Sequence, residues 1–212
     1  ITDLGVPNPS QYGVCWSTSE DPIITGNCTT EGISSATGAF TSSIAGLSVY
    51  TNYYVRAYVT NAAGTTYGEN VSFTTLGIAP TVTTQAVSLV AANTATGNGN
   101  ITDLGTPNPT QYGVCWSTLE NPDTSSTCSS EGVASSTGAF ASFITGLAAD
   151  TTYYVRAYAT NAQGTSYGSQ VNLTTLTKEP SVTTQEVSFI DVTTATGNGT
   201  ITDIGGPSPT QH

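Results

Sequence analysis

Basic charge is nearly missing from this sequence. Three Lys and Arg stand against fourteen Asp and Glu in 212 residues, a formal net charge of -11. Nucleic-acid binding needs basic side chains that displace condensed counterions, so a nucleic-acid partner is not expected. Attraction to an anionic lipid surface fails for the same reason. No apolar run approaches the ~18 residues of a membrane span, so direct membrane insertion is not expected. Charged residues of both signs reach only 8%, against about 25% in ordinary domains. Methionine is absent, which predicts a processed product or an internal segment rather than a chain starting at an initiator. The one His is His212, at the far end, so the many Ser and Thr have no imidazole base beside them. A non-enzymatic chain without cofactor is expected.

What is abundant is Ser and Thr, together roughly 30% of the residues and far above ordinary usage. Thr and Val suit half-buried pleated strands. The chain is not of disordered composition, because 37% is hydrophobic and those residues are regularly placed.

Self-comparison shows a period of one hundred residues. Ile1-Thr2-Asp3-Leu4-Gly5 returns as Ile101-Thr102-Asp103-Leu104-Gly105 and as Ile201-Thr202-Asp203-Ile204-Gly205. QYGVCWST at 11–18 recurs at 111–118, and YYVRAY at 53–58 recurs at 153–158. Between 1–76 and 101–176 roughly 60% of positions are identical, and the differences cluster in 21–30 against 121–130. Such a period is too long for a solenoid unit and right for one sandwich domain.

Each period reads as short strands separated by turn signals. In the complete one, strands are expected at 81–90 (A), 94–102 (B), 111–118 (C), 139–145 (E), 152–160 (F) and 165–175 (G). A variable stretch, 119–137, covers the sheet edge. No segment of ten residues carries a 3.6-residue apolar period, so essentially no helix is expected. Alternation puts Tyr153, Val155, Ala157 and Ala159 in the core and Tyr154, Arg156, Tyr158 and Thr160 on the other face. On strand C, Tyr112, Val114 and Trp116 share a face, with Trp116 the best core candidate and Trp16 its equivalent. Gly97 and Gly99 either leave room that Trp116 fills or mark a bulge.

The stretch GLAADTTYYVRAYATNAQG (146–164) resembles the E–F corner and F strand of fibronectin type III domains. Leu147 followed by Tyr153, and Leu47 by Tyr53, resemble that family's tyrosine corner, in which the phenol bonds to upstream backbone. Val155, Ala157, Asn161 and Gly164 fit its F strand and F–G turn, as do Val55, Ala57, Asn61 and Gly64. The sequence departs from the family in having glycines where strand B usually carries a Trp. Val49 and Ala149 replace the Pro of the corner. No Arg-Gly-Asp occurs, so integrin binding is not implied. The wider pattern is similar to repeats of very large secreted bacterial proteins. The implied fold is all-β: tandem immunoglobulin-like or fibronectin type III β-sandwiches.

The window is out of register with the domains. Residues 1–76 form a repeat lacking its first two strands, 77–176 form a complete repeat, and 177–212 hold the first two strands of a third and stop at Gln211-His212, where strand C is expected to start. Two readings stay open. Either the chain is a window on a longer array, or copies join head to tail, the tail strands of one completing 1–76 of the next.

Cys15 and Cys28 are paired in one repeat and Cys115 and Cys128 in the other, both thirteen apart. Disulfides Cys15–Cys28 and Cys115–Cys128 are expected, because the repeat makes local pairing natural among the three connectivities. A metal site lacks further ligands. Disulfides place the chain outside the cell. Asp3, Asp103 and Asp203 recur once per repeat and read as turn formers rather than a glycosidase pair. Arg56 and Arg156 sit between tyrosines, and Glu31 and Glu131 recur. A structural ion pair or stacking on Tyr54 or Tyr58 is weighed against a ligand contact. Calcium near Asp103 and Glu179 is weighed, but no ligand-spaced motif appears. Sequons for glycosylation stand at Asn27, Asn70, Asn100, Asn172 and Asn198.

These features predict a structural extracellular repeat protein, forming a stalk, fibre or filament at a bacterial cell surface. Its expected partners are itself, as neighbouring repeats or head-to-tail copies, and glycans. The alternatives are an adhesin binding glycans or surfaces through loops such as 19–37 and 119–137, and a spacer in a large secreted hydrolase.

Overall fold

The computed structural model describes residues 1–206; His212, and the strand start expected at Gln211, lie outside the described residues. The described residues form strands and no helix. Two compact units result, Ile1–Ile78 and the chain from Ala79 onward.

In the first unit β1 (Gln11–Ser17), β2 (Asn27–Cys28), β3 (Asn52–Asn61), β4 (Gly64–Tyr67) and β5 (Val71–Thr74) form one antiparallel sheet. Its order is β2-β1-β3-β4, with β5 also on β3. The second unit holds β6 (Thr81–Ser88), β7 (Ala95–Asp103), β8 (Gln111–Ser117), β9 (Thr127–Cys128), β10 (Gly138–Ile144), β11 (Thr152–Asn161), β12 (Gly164–Tyr167) and β13 (Val171–Thr174). They make two sheets, β10-β7-β6 and β9-β8-β11-β12, with β13 also on β11. Beyond them β14 (Ser181–Ser188) and β15 (Thr196–Asp203) pair only with each other.

The sandwich core lies between the two sheets of the second unit. Val82, Ala95, Ile101 and Ile144 come from one sheet, and Val114, Val155, Ala157, Ala159 and Leu173 from the other. Strand alternation produces this: Val155, Ala157 and Ala159 are fully buried two residues apart.

Four expectations need correction. Strand G is not continuous but splits into β12 and β13, because its register on β11 slips by one residue between Tyr158↔Tyr167 and Val155↔Val171, a bulge at 168–170 that the first unit repeats between β4 and β5; over it β6 passes so close to Gly168 that any Cβ would collide with the Thr84 backbone. The variable stretch contributes a short strand, β9, that its irregular sequence concealed. Trp116 does not fill the space beside the strand B glycines. A Cβ on Gly97 would lie 2.8 Å from Val114 Cγ2 and 3.1 Å from Ile144 Cδ1, and one on Gly99 would enter the Phe140 ring. Trp116 stands two residues further along β8 and packs, half-buried, at the rim of the core. A register shift between Gln85 and Ser88 does fall opposite Gly97, so close approach and bulge coincide there, whereas Gly99 pairs regularly with Thr84. Finally, Tyr158 lies on the non-core face yet is fully buried, beneath a segment of the variable stretch.

Among the described residues one buried polar side chain is unsatisfied. Ser142 on β10 is 1% exposed and its Oγ has no hydrogen-bond partner, while Ser42 at the equivalent place donates to Glu31 Oε1 at 2.7 Å. Desolvating a hydroxyl without a partner costs about 1–3 kcal/mol. Ser142→Ala is therefore expected to raise the stability of the second unit by about 1 kcal/mol, read as a higher denaturation midpoint at unchanged m-value. A lower midpoint would contradict it.

Candidate functional site

The outer face of the β8–β11 sheet is built from residues that sequence reading left exposed. Gly113 lies in mid-strand, and a Cβ there would meet the Ser129 carbonyl oxygen at 2.6 Å. The missing side chain lets segment 127–131 lie across the sheet. The Ser129 and Glu131 amides donate to the Val114 and Tyr112 carbonyls at 2.9 and 2.8 Å, extending the β8–β9 ladder. Cys115 and Cys128, directly paired in that ladder, are disulfide-bonded with Cα atoms 4.0 Å apart. Cys15 and Cys28 repeat this in the first unit. Underneath, the Tyr158 phenol donates to the Ser129 carbonyl at 2.7 Å and accepts from Gln111 Nε2 at 2.8 Å. Burial raises its pKa above the ordinary tyrosine value, with the hydrogen bond from Gln111 opposing. The mid-strand glycine of QYGVCWS was the available signal for this crossing.

Beside that network sits an arginine clamp. Arg156 stacks on Tyr167, 4.7 Å from the ring centroid, and its Nε donates to the Gly168 carbonyl at 3.0 Å. The Tyr167 phenol in turn accepts from the Thr124 amide at 3.0 Å. Arg56 stacks likewise on Tyr67 and also pairs with Asp21 at 3.0 Å. The stacking partner is thus on the neighbouring strand, not Tyr54 or Tyr58, because β4 and β12 place their tyrosines across from Tyr58 and Tyr158. Glu31 bonds Ser42 rather than an arginine. The second repeat has Asn121 where the first has Asp21. There Asp123 carries the acid instead, its pKa lowered first by the Ser125 hydroxyl hydrogen bond and also by the Arg156 charge. Arg56 thus holds the loop after strand C onto the sheet directly, whereas Arg156 braces the Tyr167 ring whose phenol does so in the second repeat.

The other sequence candidates take local roles. The Tyr153 phenol accepts from the Ala148 amide, and that of Tyr53 from the Ser48 amide, both at 3.0 Å. Leu147 is buried and Leu47 half-buried. Asp3, Asp103 and Asp203 each accept from the amide of the glycine two residues on at 2.8 Å, and those glycines have φ near +68°. This is an Asx turn that only glycine completes without strain. Asp203 also pairs with Lys178, which holds its carboxyl below the usual range. Asn27, Asn70 and Asn172 are exposed, and Asn100 and Asn198 half-buried. The Asn70 side chain is tied to Asp21, and that of Asn198 to Glu186 and Ser188. Trp16, like Trp116, is half-buried. Among the described residues no three His, Cys, Asp or Glu side chains converge as a metal would require.

Residues 1–78 begin past the place of strands A and B in the repeat, so among the described residues the core face of the first unit is uncovered. A cleft of about 420 Å³ runs along it, lined by Ile1–Gly5, Phe40, Ala57 and Gly68 among others. Ala57 and Val71 are exposed there, while Ala157 is buried and Val171 half-buried. Segment 38–44, nearly identical to β10, carries no strand. Among the described residues its backbone is paired at Gly38, which exchanges hydrogen bonds with Ile1.

No family model and no curated protein matches the chain. Among solved structures it is similar to the chicken CNTN1 FN1–FN3 domains, at 12% identity and a TM-score of 0.42, over 78% of this chain and 56% of that one. It is also similar to the amphioxus IgVJ-C2 molecule, at 17% identity and a TM-score of 0.36, over 79% of this chain and 90% of that one. The chain spans little more than half the length of the first. The strand order of the second unit, A, B and E against C, F and G with a short added edge, is that of an immunoglobulin-like, fibronectin type III β-sandwich.

Replacing Cys115 and Cys128 by Ala is expected to lower the stability of the second unit by about 3 kcal/mol, the chain-entropy value for a loop of this size. Chemical denaturation with and without the bond measures it, and an unchanged midpoint would contradict it. Tyr158 sets a pH dependence. Its folded pKa is raised, so its contribution is complete below about pH 10, the unfolded value, and is lost as pH rises toward the folded one. Melting temperature should fall more steeply above pH 10 in the native chain than in Tyr158→Phe; parallel curves would refute this.

Proposed function

We propose that the chain is a structural, non-catalytic piece of a tandem repeat protein outside the cell, serving as a stalk, fibre or filament at a bacterial surface. The observation that carries this reading is that a hundred-residue period reproduces one frame. Each repeat brings its own disulfide, arginine clamp, tyrosine corner and Asx turn. A catalytic protein concentrates its special residues in one place, whereas here these four contacts recur in each repeat and brace its frame. The disulfides support an oxidising, extracellular setting. The low charge supports a uniform polar surface.

A second reading, adhesion, has its own observation. The loops that differ most between repeats are held on a pinned edge and present exposed apolar side chains, Ile23 at 49% and Leu119 at 75%. Electron microscopy of native material tests the first reading: elongated threads or filaments are expected, and compact isolated particles would overturn it. Retention on a glycan array, abolished by exchanging 119–137, would favour the second.

A further inference from the structure

The sheet edges of the complete repeat are not alike. One sheet ends in β9, two residues long and disulfide-bonded, and on its other side in β12 and β13, four residues each and interrupted between them. The second sheet ends on one side in β6, whose register on β7 shifts between Thr81 and Val82 and again between Gln85 and Ser88. Shortness, bulges and breaks are devices by which a sheet avoids pairing along its edge. At the other side β10 has none of them. Its seven residues pair with β7 without a shift, from Gly138↔Ile101 to Ile144↔Ala95. We propose that the free edge of β10 pairs antiparallel with β10 of a second copy of this chain, joining two β10-β7-β6 sheets side by side. The inference deepens the structural reading by naming a lateral partner, and it rests on that reading for the many copies brought together.

The edge is open. Among the described residues β10 pairs with β7 alone. Amides of the segment leading into it go elsewhere, those of Ser129 and Glu131 to β8 and that of Ala134 to the Pro109 carbonyl. No charge guards it either. From Gly132 to Ala149 there is no Asp, Glu, Lys, Arg or Pro. Across β6 and β7 the one charged residue is Asp103, at the end of β7. In a chain of net charge -11, this is a place where two copies meet without carboxylates directly opposed.

The side chains fit a self-pair. On β10 Ser142 and Ile144 are buried and Phe140 is half-buried, whereas Ala139, Ala141 and Phe143 are exposed, as alternation across the pleat requires. Phe143 is 68% exposed, a large ring on the outer face of the sheet. In an antiparallel pair centred on Ala141, that residue faces its own copy, and Phe143 of each copy faces Ala139 of the other. Directly opposed Cβ atoms stand about 4.5–5.5 Å apart, within reach of a ring. Large thus meets small at both ends of the row, with two small residues at the centre. The first repeat carries Thr41 and Ser43 at the matching places, so the apolar row belongs to the second repeat. The pairing is two-fold and closes at two copies, tying one chain to one neighbour.

The test uses the 212-residue chain with Ala141→Lys and, separately, with Ala141→Glu. Residue 141 is exposed, so both variants keep the fold, and an unchanged denaturation midpoint checks this. At the centre of the pair lysine would face lysine, and glutamate would face glutamate. Sedimentation velocity and native mass spectrometry over rising concentration should show the parent chain pairing and each variant alone associating about tenfold or more weakly. An equal mixture of the two variants should recover the pair, because opposite charges then face each other. Hydrogen exchange should show amides within 138–144 gaining protection as the parent chain associates. A parent chain that stays monomeric, association that the charges leave unchanged, or a mixture that does not recover it would each overturn the proposal. Electron microscopy separates this failure from that of the reading beneath it. Threads in native material beside a chain that does not pair at β10 leave the stalk standing, and a β10 pair found in compact isolated particles leaves the pairing standing without the stalk.

Discussion

The sandwich depends on the seating of a glycine-faced hairpin on the central strand of the opposite sheet. In the second unit β6 and β7 lie so close to β8 and β11 that Gly97, Gly99 and Gly168 have no room for a methyl group. Close approach lets Val114, Ile144 and Phe140 occupy volume that side chains on the hairpin would have taken. Each Val, Ile or Leu side chain fully buried in this way contributes about 1.5–3 kcal/mol. The same residues carry no such term where the hairpin is absent, as Ala57 and Val71 show by their exposure.

A second set of contacts works on the opposite face and does not need the hairpin. The disulfide, the Gly113 crossing, the buried Tyr158 and the Arg–Tyr clamp all act between the β8–β11 sheet and the loop after strand C. Their equivalents in the first unit are in place although its core face is open. Tyr58 is 2% exposed, and its phenol donates to the Thr29 carbonyl at 2.7 Å. The sheet is therefore braced from outside by local, covalent and hydrogen-bonded links, and closed from inside by apolar burial.

Much of this was legible in the sequence where short range governs. Strands A, B, C, E and F of the complete repeat lie within a residue or two of their expected places, because alternation of Thr, Val and Tyr is a period-two pattern set by the pleat. The Asx turns at Asp3, Asp103 and Asp203 were readable from Asp-x-Gly alone. What was not legible needed a segment distant in sequence. Tyr158 reads as outward-facing by alternation, and only the crossing of 127–131 buries it. Trp116, the largest apolar residue nearby, looked like the core filler. The position of β7 instead gave that place to Val114 and Ile144.

Residues 38–44 and 138–144 show where the division falls. The two segments begin with the same Gly-Ala-Phe, share Ser and Ile at matching places, and have the same intrinsic preference. One is strand β10 and the other has no strand. Composition and alternation determined by themselves that this is an all-β chain of repeats with extended segments at set places. Whether an extended segment becomes a strand was decided by tertiary structure. The hydrogen bonds of a strand belong to a pair, and the partner, β7, comes from about forty residues away.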